Sequence, residues 1–320
     1  MATIPNIAPR ALPAAPSVTM VSLSGAVSFD RMQAGAARLR ELGLSVSIPE
    51  AAAASWRYFA GSDEERIRAL NDAVNSDADI VLFSRGGYGL SRILHRVDWA
   101  AVAQSRKIFC GFSDITAFSL TALARANFIT FAAPVGASEF AQQASTDARA
   151  FTEQHFLGVL RAAPALAYAY PVCTSDIAHH ATTISGTLWG TNLAMIAHLV
   201  GTPYMPIIDD GILLLEDIGE APYRVERMFW QLKHAGILDR QRAIVLGAFT
   251  DCEPAPGMHY PYAMPEAIET LREIAPCPVL TGFPFGHVAA KVTLPMGAAA
   301  VLNVDGAAYS LSVSNYLAVA

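Results

Sequence analysis

Short apolar segments alternate with helical patterns through the first half of the sequence, and this alternation limits the possible folds. Apolar segments at residues 18–23, 44–48 and 79–84 have the length of buried strands. Between them, residues 30–42 carry apolar side chains at helical spacing, and Ser62 with a glutamate three positions later forms a capping box that begins a helix. Strands that alternate with helices form parallel sheets. The first half therefore predicts an α/β fold.

The second half of the sequence has a different pattern. Residues 183–190 predict a strand with a turn, and residues 292–313 show strand patterns without helices between them. The length of 320 residues favours two domains. We predict an N-terminal parallel-sheet α/β domain of the flavodoxin or Rossmann type over residues 1–165. A smaller, mixed β/α C-terminal domain is predicted over residues 180–320, with the connection between the domains inside residues 161–178.

Composition and charge exclude several classes of function. The net charge is −6 and the sequence contains no run of Lys or Arg, which argues against nucleic-acid binding and against a basic membrane-binding surface. We expect no membrane span, because no apolar run reaches about 18 residues. Pro13 and Pro16 interrupt the apolar N-terminal segment, which favours a first strand over a signal peptide. The four cysteines lack metal-binding spacing, so we expect no metal site and a reducing compartment.

A serine stands where a predicted strand, residues 108–112, turns into a predicted helix, residues 114–126. Ligands of open α/β sheets bind at such strand ends, and the start of a helix offers free N–H groups. Ser113 could therefore act as a nucleophile, with the amide of Asp114 facing an oxyanion. Serine is also among the best helix caps, and taken alone the pattern favours a cap. The sequence lacks the second glycine of the G-x-S-x-G motif.

A glycine-rich segment, Arg-Gly-Gly-Tyr-Gly at residues 85–89, follows the strand at residues 79–84, and a helix is predicted to begin at Leu90. Three interpretations stay open. The segment is a tight turn, or a phosphate-binding loop that does not match the usual fingerprints. Alternatively, it forms half of an oxyanion hole, because consecutive parallel strands often lie side by side and their loops would meet.

A serine nucleophile needs a base and an acid that orients the base. His287 follows an apolar strand and a turn rich in Gly and Pro, which suits a rigidly held side chain, although a hydrogen-bonded loop histidine explains the pattern equally. Glu216 ends an apolar strand, where a carboxylate is costly unless it has a partner; a cap or a salt bridge would also explain it. Asp217 and Glu220 are rival acids that spacing does not exclude.

Several motifs in register resemble those of the LD-carboxypeptidases, the muramoyltetrapeptide carboxypeptidases of bacterial murein recycling. The resemblance extends from about residue 18 to the end of the chain. The motifs are Tyr-Phe-Ala-Gly at 58–61, the glycine-rich segment at 85–89, Gly-Phe-Ser-Asp-Ile-Thr at 111–116, Gly-Thr-Leu-Trp-Gly-Thr-Asn-Leu at 186–193, Leu-Glu-Asp-Ile-Gly-Glu at 215–220, Tyr-Arg-Val-Glu-Arg-Met at 223–228, Phe-Gly-His at 285–287 and Thr-Leu-Pro-Met-Gly at 293–297. One departure is Ala132-Ala133-Pro134, where many members carry His-Gly-Pro.

The resemblance implies a role for each matching residue. Ser113 corresponds to the nucleophile, Glu216 to the triad acid and His287 to the base. The amides of Gly87, or Gly86, and Asp114 correspond to the oxyanion hole. The expected substrate contacts are Gly86, Tyr88, Trp189 and Asn192.

The family also implies the reaction and its setting. The expected reaction releases the terminal D-alanine from a murein tetrapeptide, free or attached to muramic acid sugars, by cleaving the L,D-bond after the diamino acid. The implied protein is a cytoplasmic homodimer that needs no metal and no cofactor.

Two other functions stay open at this stage. The same scaffold serves immunity peptidases that cleave peptide–nucleotide antibiotics. A non-catalytic two-domain protein, in which Gly86 and Gly87 grip an anionic ligand, is the second alternative.

Overall fold

Two six-stranded sheets organise the chain. The computed structural model describes residues 6–141, 144–164, 166–254, 256–257 and 262–319. The strands in chain order are β1 Ser17–Val21, β2 Ser45–Ser47, β3 Ile80–Phe83, β4 Ile108–Cys110, β5 Thr130–Ala132, β6 Tyr168–Ala169, β7 Cys173–Asn192, β8 Gly211–Ile218, β9 Gln241–Thr250, β10 Val279–Leu280, β11 Leu294–Met296 and β12 Ala299–Ser314. The α-helices are α1 Phe29–Glu41, α2 Asp63–Asn75, α3 Trp99–Ser105, α4 Thr116–Ala126, α5 Thr146–Leu160, α6 Leu193–Leu199, α7 Pro222–His234 and α8 Met264–Ile274.

The first sheet has the strand order β11-β5-β4-β3-β1-β2. Strands β1 to β5 are parallel, in the order typical of flavodoxin-like folds, which confirms the predicted fold class. Strand β11 is antiparallel to β5 and comes from the C-terminal half of the chain. The C-terminal half of the chain therefore contributes a strand to the first sheet. A division into residues 1–165 and 180–320 does not account for this strand. That division stays a prediction.

The second sheet has the order β10-β9-β8-β7-β12-β6 and is mixed. Strands β7 to β10 are parallel, whereas β12 is antiparallel to both β7 and β6. One sequence prediction is wrong here. The segment at 183–190 contains no turn and belongs to one twenty-residue strand, β7, which begins inside the predicted connection. The N-terminal half of β7 is largely exposed on both faces, so it lacks the apolar alternation by which strands are recognised.

The predicted helices have a recognisable physical basis. The Ser62 hydroxyl accepts from the Glu65 amide at 3.3 Å and the Glu65 carboxylate accepts from the Ser62 amide at 2.7 Å, which confirms the capping box of α2. The helix predicted from Leu90 is instead two short 3-10 turns, Leu90–Arg92 and Leu94–Arg96. Because a 3-10 turn repeats every three residues, Leu90 and Ile93 share one face, and both are buried.

The two sheets pack against shared hydrophobic clusters. One buried cluster contains Val18 of β1 together with Leu302 of β12, and the other contains Val21 of β1 together with Leu213 of β8. Helix α4, which follows β4, packs against α6 from the second half. The strand ends of the two sheets are therefore held in a fixed relation to each other. None of the helices in the described ranges combines the length and the apolar character needed to cross a membrane.

Candidate active site

Ser113 occupies a strained turn between β4 and α4. Its φ is +66°, in the left-handed region that non-glycine residues seldom adopt. The 3-10 turn Ser113–Ile115 joins the strand to the helix, and neither it nor α4 has a side-chain cap. The helix-cap interpretation of Ser113 is therefore wrong. Its hydroxyl is free to bond a residue outside the turn.

A continuous hydrogen-bonded chain links Ser113, His287 and Glu216. His287 Nε2 lies 3.1 Å from Ser113 Oγ, and His287 Nδ1 lies 2.8 Å from Glu216 Oε2. An ionised carboxylate only accepts hydrogen bonds, so we assign the imidazole proton to Nδ1, which leaves Nε2 to accept from the serine hydroxyl. The Glu216 side chain is fully buried and that of His287 is 17% exposed. The arrangement can transfer the hydroxyl proton of Ser113 to His287.

The second sheet selects which acid faces the histidine. Glu216 lies in β8 opposite Asn192 of β7, with its side chain on the side of His287. The neighbouring Asp217 accepts from Asn192 Nδ2 at 3.0 Å and from the Ala194 amide at 2.9 Å, so it holds the start of α6. Burial raises the pKa of Asp217 to about 6. The carboxylate of the third acid, Glu220, lies 3.9 Å from the guanidinium of Arg224. Glu216 is thus the acid that contacts the base.

His287 is held from several sides. It follows Gly286, whose φ of +132° suits glycine, in the loop between β10 and β11. Thr250 of β9 donates through its hydroxyl to the His287 carbonyl at 3.1 Å. The ring of Phe112, the residue before the serine, lies 4.8 Å from the imidazole. These contacts fix the imidazole next to Ser113.

The glycine-rich segment touches the serine directly. A Cβ on Gly86 would lie 2.8 Å from Ser113 Cβ, closer than carbon atoms approach without strain. At Gly87, φ is +104° and a Cβ would lie 2.5 Å from the Tyr58 hydroxyl oxygen. The Gly86 carbonyl in turn accepts from the Gly25 amide at 3.3 Å. Only a segment without side chains at these two positions fits between Ser113 and Tyr58.

Asp114 has a role that its sequence position did not reveal. Its buried carboxylate accepts from the Ser24 hydroxyl at 2.5 Å and from the Leu90 amide at 3.0 Å. The loops after β1, β3 and β4 are therefore tied together beneath Ser113. Burial raises the pKa of this carboxyl, and the two donors oppose that shift. An acid is favourable in the first turn of any helix, so the sequence does not indicate these long-range partners.

The structure separates the four expected substrate contacts. Gly86 adjoins Ser113, and Tyr88 is half exposed with its ring 5.7 Å from that of Phe59. Asn192 caps α6 and is almost fully buried. Trp189 is fully buried, with its indole N–H donating to Gln241 Oε1 at 2.8 Å. The prediction for Trp189 is therefore wrong, because its position in β7 directs the side chain into the core.

Sequence reasoning also missed the bond that joins the two halves beside Ser113. Thr116, at the start of α4, and Thr191, at the end of β7, share a hydrogen bond of 2.5 Å between their hydroxyls. The Thr116 hydroxyl also accepts from the Asn192 amide at 3.3 Å. Both threonines fall inside motifs of the sequence, but their contact is long-range and has no local signal. In the described ranges, no group of three or more His, Cys, Asp or Glu is placed to hold a metal ion.

The fold and the site together define a class of protein: two packed α/β sheets whose meeting edges bring a serine, a histidine and a glutamate into one hydrogen-bonded chain. Family models agree with this class. The LD-carboxypeptidase N-terminal domain matches residues 18–133, and the LD-carboxypeptidase C-terminal domain matches residues 185–302.

Each of the following three relatives matches at least 80% of the chain. The crystal structure of muramoyltetrapeptide carboxypeptidase from Oxalobacter formigenes is 36% identical, with a TM-score of 0.83 over 94% of this chain and 100% of that one. Murein tetrapeptide carboxypeptidase of Pseudomonas aeruginosa is 30% identical over 89% of this chain and 92% of its own. The Microcin C7 self-immunity protein MccF of Escherichia coli is 26% identical over 80% of each chain. The chain belongs to the LD-carboxypeptidase family.

Proposed function

We propose that this protein is a serine-type LD-carboxypeptidase that releases the terminal D-alanine from murein tetrapeptides. The observation that carries the proposal is the chain of hydrogen bonds from Ser113 through His287 to Glu216, at 3.1 and 2.8 Å. The family supplies the class of reaction, and the relative from Pseudomonas aeruginosa, named a murein tetrapeptide carboxypeptidase, supports the substrate.

The first half of the reaction forms an acyl-enzyme. His287 takes the hydroxyl proton of Ser113 while the serine oxygen attacks the carbonyl carbon that precedes D-alanine. The oxyanion that forms accepts hydrogen bonds from the amides of Gly87 and Asp114. In support, a Cβ on Gly86, the residue before Gly87, would lie 3.3 Å from the Asp114 nitrogen. Glu216 orients the imidazole and stabilises its positive charge. His287 then donates the proton to the nitrogen of the leaving D-alanine, and the C–N bond breaks.

The second half returns the enzyme to its starting state. Water enters the place of D-alanine and gives a proton to His287 as its oxygen attacks the ester carbon. The ester bond to Ser113 breaks, the serine oxygen recovers its proton from His287, and the tripeptide leaves with a free carboxylate. Because His287 is partly exposed, water can reach it.

The setting of the enzyme is part of the proposal. We propose a cytoplasmic homodimer whose partner in catalysis is the murein tetrapeptide, free or attached to muramic acid sugars. Gel filtration with light scattering measures the oligomeric state, and cell fractionation measures the location. A monomer, or a protein recovered outside the cytoplasm, would contradict this part alone.

Mass spectrometry tests the proposed reaction. The wild-type chain incubated with murein tetrapeptide should yield tripeptide and D-alanine. Ser113→Ala should lower the rate by at least about 10⁴-fold, because the nucleophile is lost. Ser119→Ala is the matched control, since Ser119 is a buried serine of the same helix-forming segment, α4. We expect near wild-type activity from the control. Full activity in Ser113→Ala would sink the assignment.

A substrate panel separates this function from the two alternatives. A pentapeptide that ends in a D,D-bond and a peptidyl sulfamoyl adenosine should be poor substrates. Preferred cleavage of the nucleotide conjugate would instead favour the immunity function. The likeness to the Microcin C7 self-immunity protein is the reason for testing it. A fluorophosphonate probe should label Ser113. Absence of labelling and of cleavage would favour a non-catalytic binding protein.

A further inference from the structure

A largely buried ion pair lies near the catalytic histidine, and the mechanism above does not use it. The Nζ of Lys291 is 2.6 Å from Glu139 Oε1, and the side chains of the two residues are 1% and 13% exposed. The residues are 152 positions apart in the chain. Removing two charges from water is costly and a buried pair is weak evidence for stability, so its placement calls for another explanation.

The lysine is in contact with the residue that packs on the catalytic histidine. Lys291 Nζ lies 4.1 Å from the centroid of the Phe112 ring, at cation–π distance. The same ring lies 4.8 Å from that of His287 and directly precedes Ser113 in the chain. Phe112 thus connects the lysine with both the base and the nucleophile.

Backbone contacts fix the lysine and its partner in place. The Lys291 amide donates to the Thr152 hydroxyl at 3.1 Å, and that hydroxyl donates to the Ala289 carbonyl at 3.0 Å, so α5 holds the loop that follows His287. Glu139 Oε2 accepts from the Val135 amide at 2.9 Å. The ion pair therefore joins the His287 loop to the segment after β5, on the nucleophile's own sheet.

Two carboxylates surround the lysine. Burial lowers the pKa of the Lys291 ammonium, and Glu139, from the segment before α5, and Glu216, from β8, oppose that shift. Glu216 also faces His287. The lysine therefore contacts the triad through the Phe112 ring and lies within the electrostatic reach of Glu216.

We propose that the Lys291–Glu139 pair is a positioning device for catalysis: it holds Phe112 and the His287 loop in place, and so keeps the imidazole of His287 within hydrogen-bonding distance of Ser113. The inference rests on the proposed serine mechanism. It concerns two residues that act through Phe112 and Glu216 and do not touch the substrate.

The test compares two rates. One is the steady-state release of D-alanine from murein tetrapeptide, and the other is the labelling rate of Ser113 by a fluorophosphonate, which needs no murein substrate. For Lys291→Met we expect kcat to fall by about 10- to 100-fold with KM changed less than about twofold. The labelling rate should fall by a similar factor, because both reactions need Ser113 and His287 in hydrogen-bonding geometry.

Two further variants separate positioning from folding. Lys291→Arg keeps the charge and should recover most of the wild-type kcat and labelling rate. Lys291→Met with Glu139→Gln removes the unpaired charge, so it should fold even where the single variant fails, and its kcat should stay reduced. Wild-type kcat and labelling rate in the double variant, or in a folded Lys291→Met, would overturn the proposal.

The two readouts also distinguish this inference from the proposed function. Wild-type protein that is labelled at Ser113 but leaves murein tetrapeptide intact would contradict the substrate alone, and the labelling rates would still test Lys291. Cleavage of tetrapeptide at identical rates by wild type and both Met variants would contradict only the role of the ion pair.

Discussion

Gly86→Ala is the sharpest test of the idea that the glycine-rich segment positions the nucleophile. Gly86 has an ordinary backbone conformation, so the alanine introduces no strain of its own. The added methyl group would lie 2.8 Å from Ser113 Cβ and 3.0 Å from Ser113 Oγ. Carbon atoms pack best at about 3.5–4.0 Å, so the two residues must separate by roughly 0.7–1.2 Å.

The magnitude of the effect follows from that displacement. Ser113 Oγ is 3.1 Å from His287 Nε2, and a shift of the serine by about 1 Å lengthens or misaligns this hydrogen bond. Misplacement of a catalytic group by about 1 Å costs roughly 10²-fold in rate. We therefore expect kcat/KM to fall by about 100-fold, equivalent to about 2.7 kcal/mol of transition-state stabilisation. Overpacking should also lower the free energy of unfolding by about 1–3 kcal/mol.

The assay must separate displacement of the serine from loss of stability. D-Alanine release measures kcat/KM, and urea unfolding measures the free energy of unfolding. Gly236→Ala is the control, because Gly236 has φ +69° and no atom within 4 Å of an added Cβ. It should cost about 1 kcal/mol of stability through its backbone conformation and leave the rate unchanged. Wild-type kcat/KM in Gly86→Ala would refute the reasoning.

Two further predictions concern neighbouring acids of β8. Glu216→Gln should lower kcat by about 10³- to 10⁴-fold with little change in KM, because an amide no longer fixes the imidazole with its proton on Nδ1. Steady-state kinetics measures this effect, and a decrease in kcat of less than about tenfold would contradict the orienting role of Glu216. Burial raises the pKa of Asp217 to about 6, so the folded chain binds a proton there that the unfolded chain releases between about pH 4 and 6. The free energy of unfolding of the wild type minus that of Asp217→Asn should therefore decrease by up to about 3 kcal/mol from pH 4 to pH 7. Urea unfolding of both proteins measures this difference, and a difference that is constant or increases with pH would contradict the raised pKa of Asp217.

Local patterns predicted most of the first sheet and little of the long strands. The capping box at Ser62 and the apolar segments around β1 and β3 depend on neighbours in sequence, and they were recognisable for that reason. Strand β7 was not, because half of it pairs with β12 while exposed to solvent and carries no apolar alternation. The return of β11 to the first sheet is a long-range pairing that no local pattern encodes.

The same distinction applies to the site. Ser113, Glu216 and His287 each stand at the end of an apolar segment, so the sequence could propose them individually and the family motifs could combine them. The Lys291–Glu139 pair had no such signal, since its meaning depends on contact across 152 positions. Trp189 is the opposite case. It lies inside a matching motif and was predicted to contact substrate, but its side chain packs in the core.

The positive φ of Ser113 decides between the two roles considered for it, a helix cap and a nucleophile. A serine in extended conformation before a helix would turn its hydroxyl back to the helix amides as a cap. At φ +66° the turn is different, and the hydroxyl meets His287 instead. Such a conformation costs about 1–3 kcal/mol and persists only where its surroundings enforce it. Here the buried carboxylate of Asp114 binds the loops after β1 and β3, and Gly86 leaves room for the serine. The strain at Ser113 is thus maintained by the neighbouring loops.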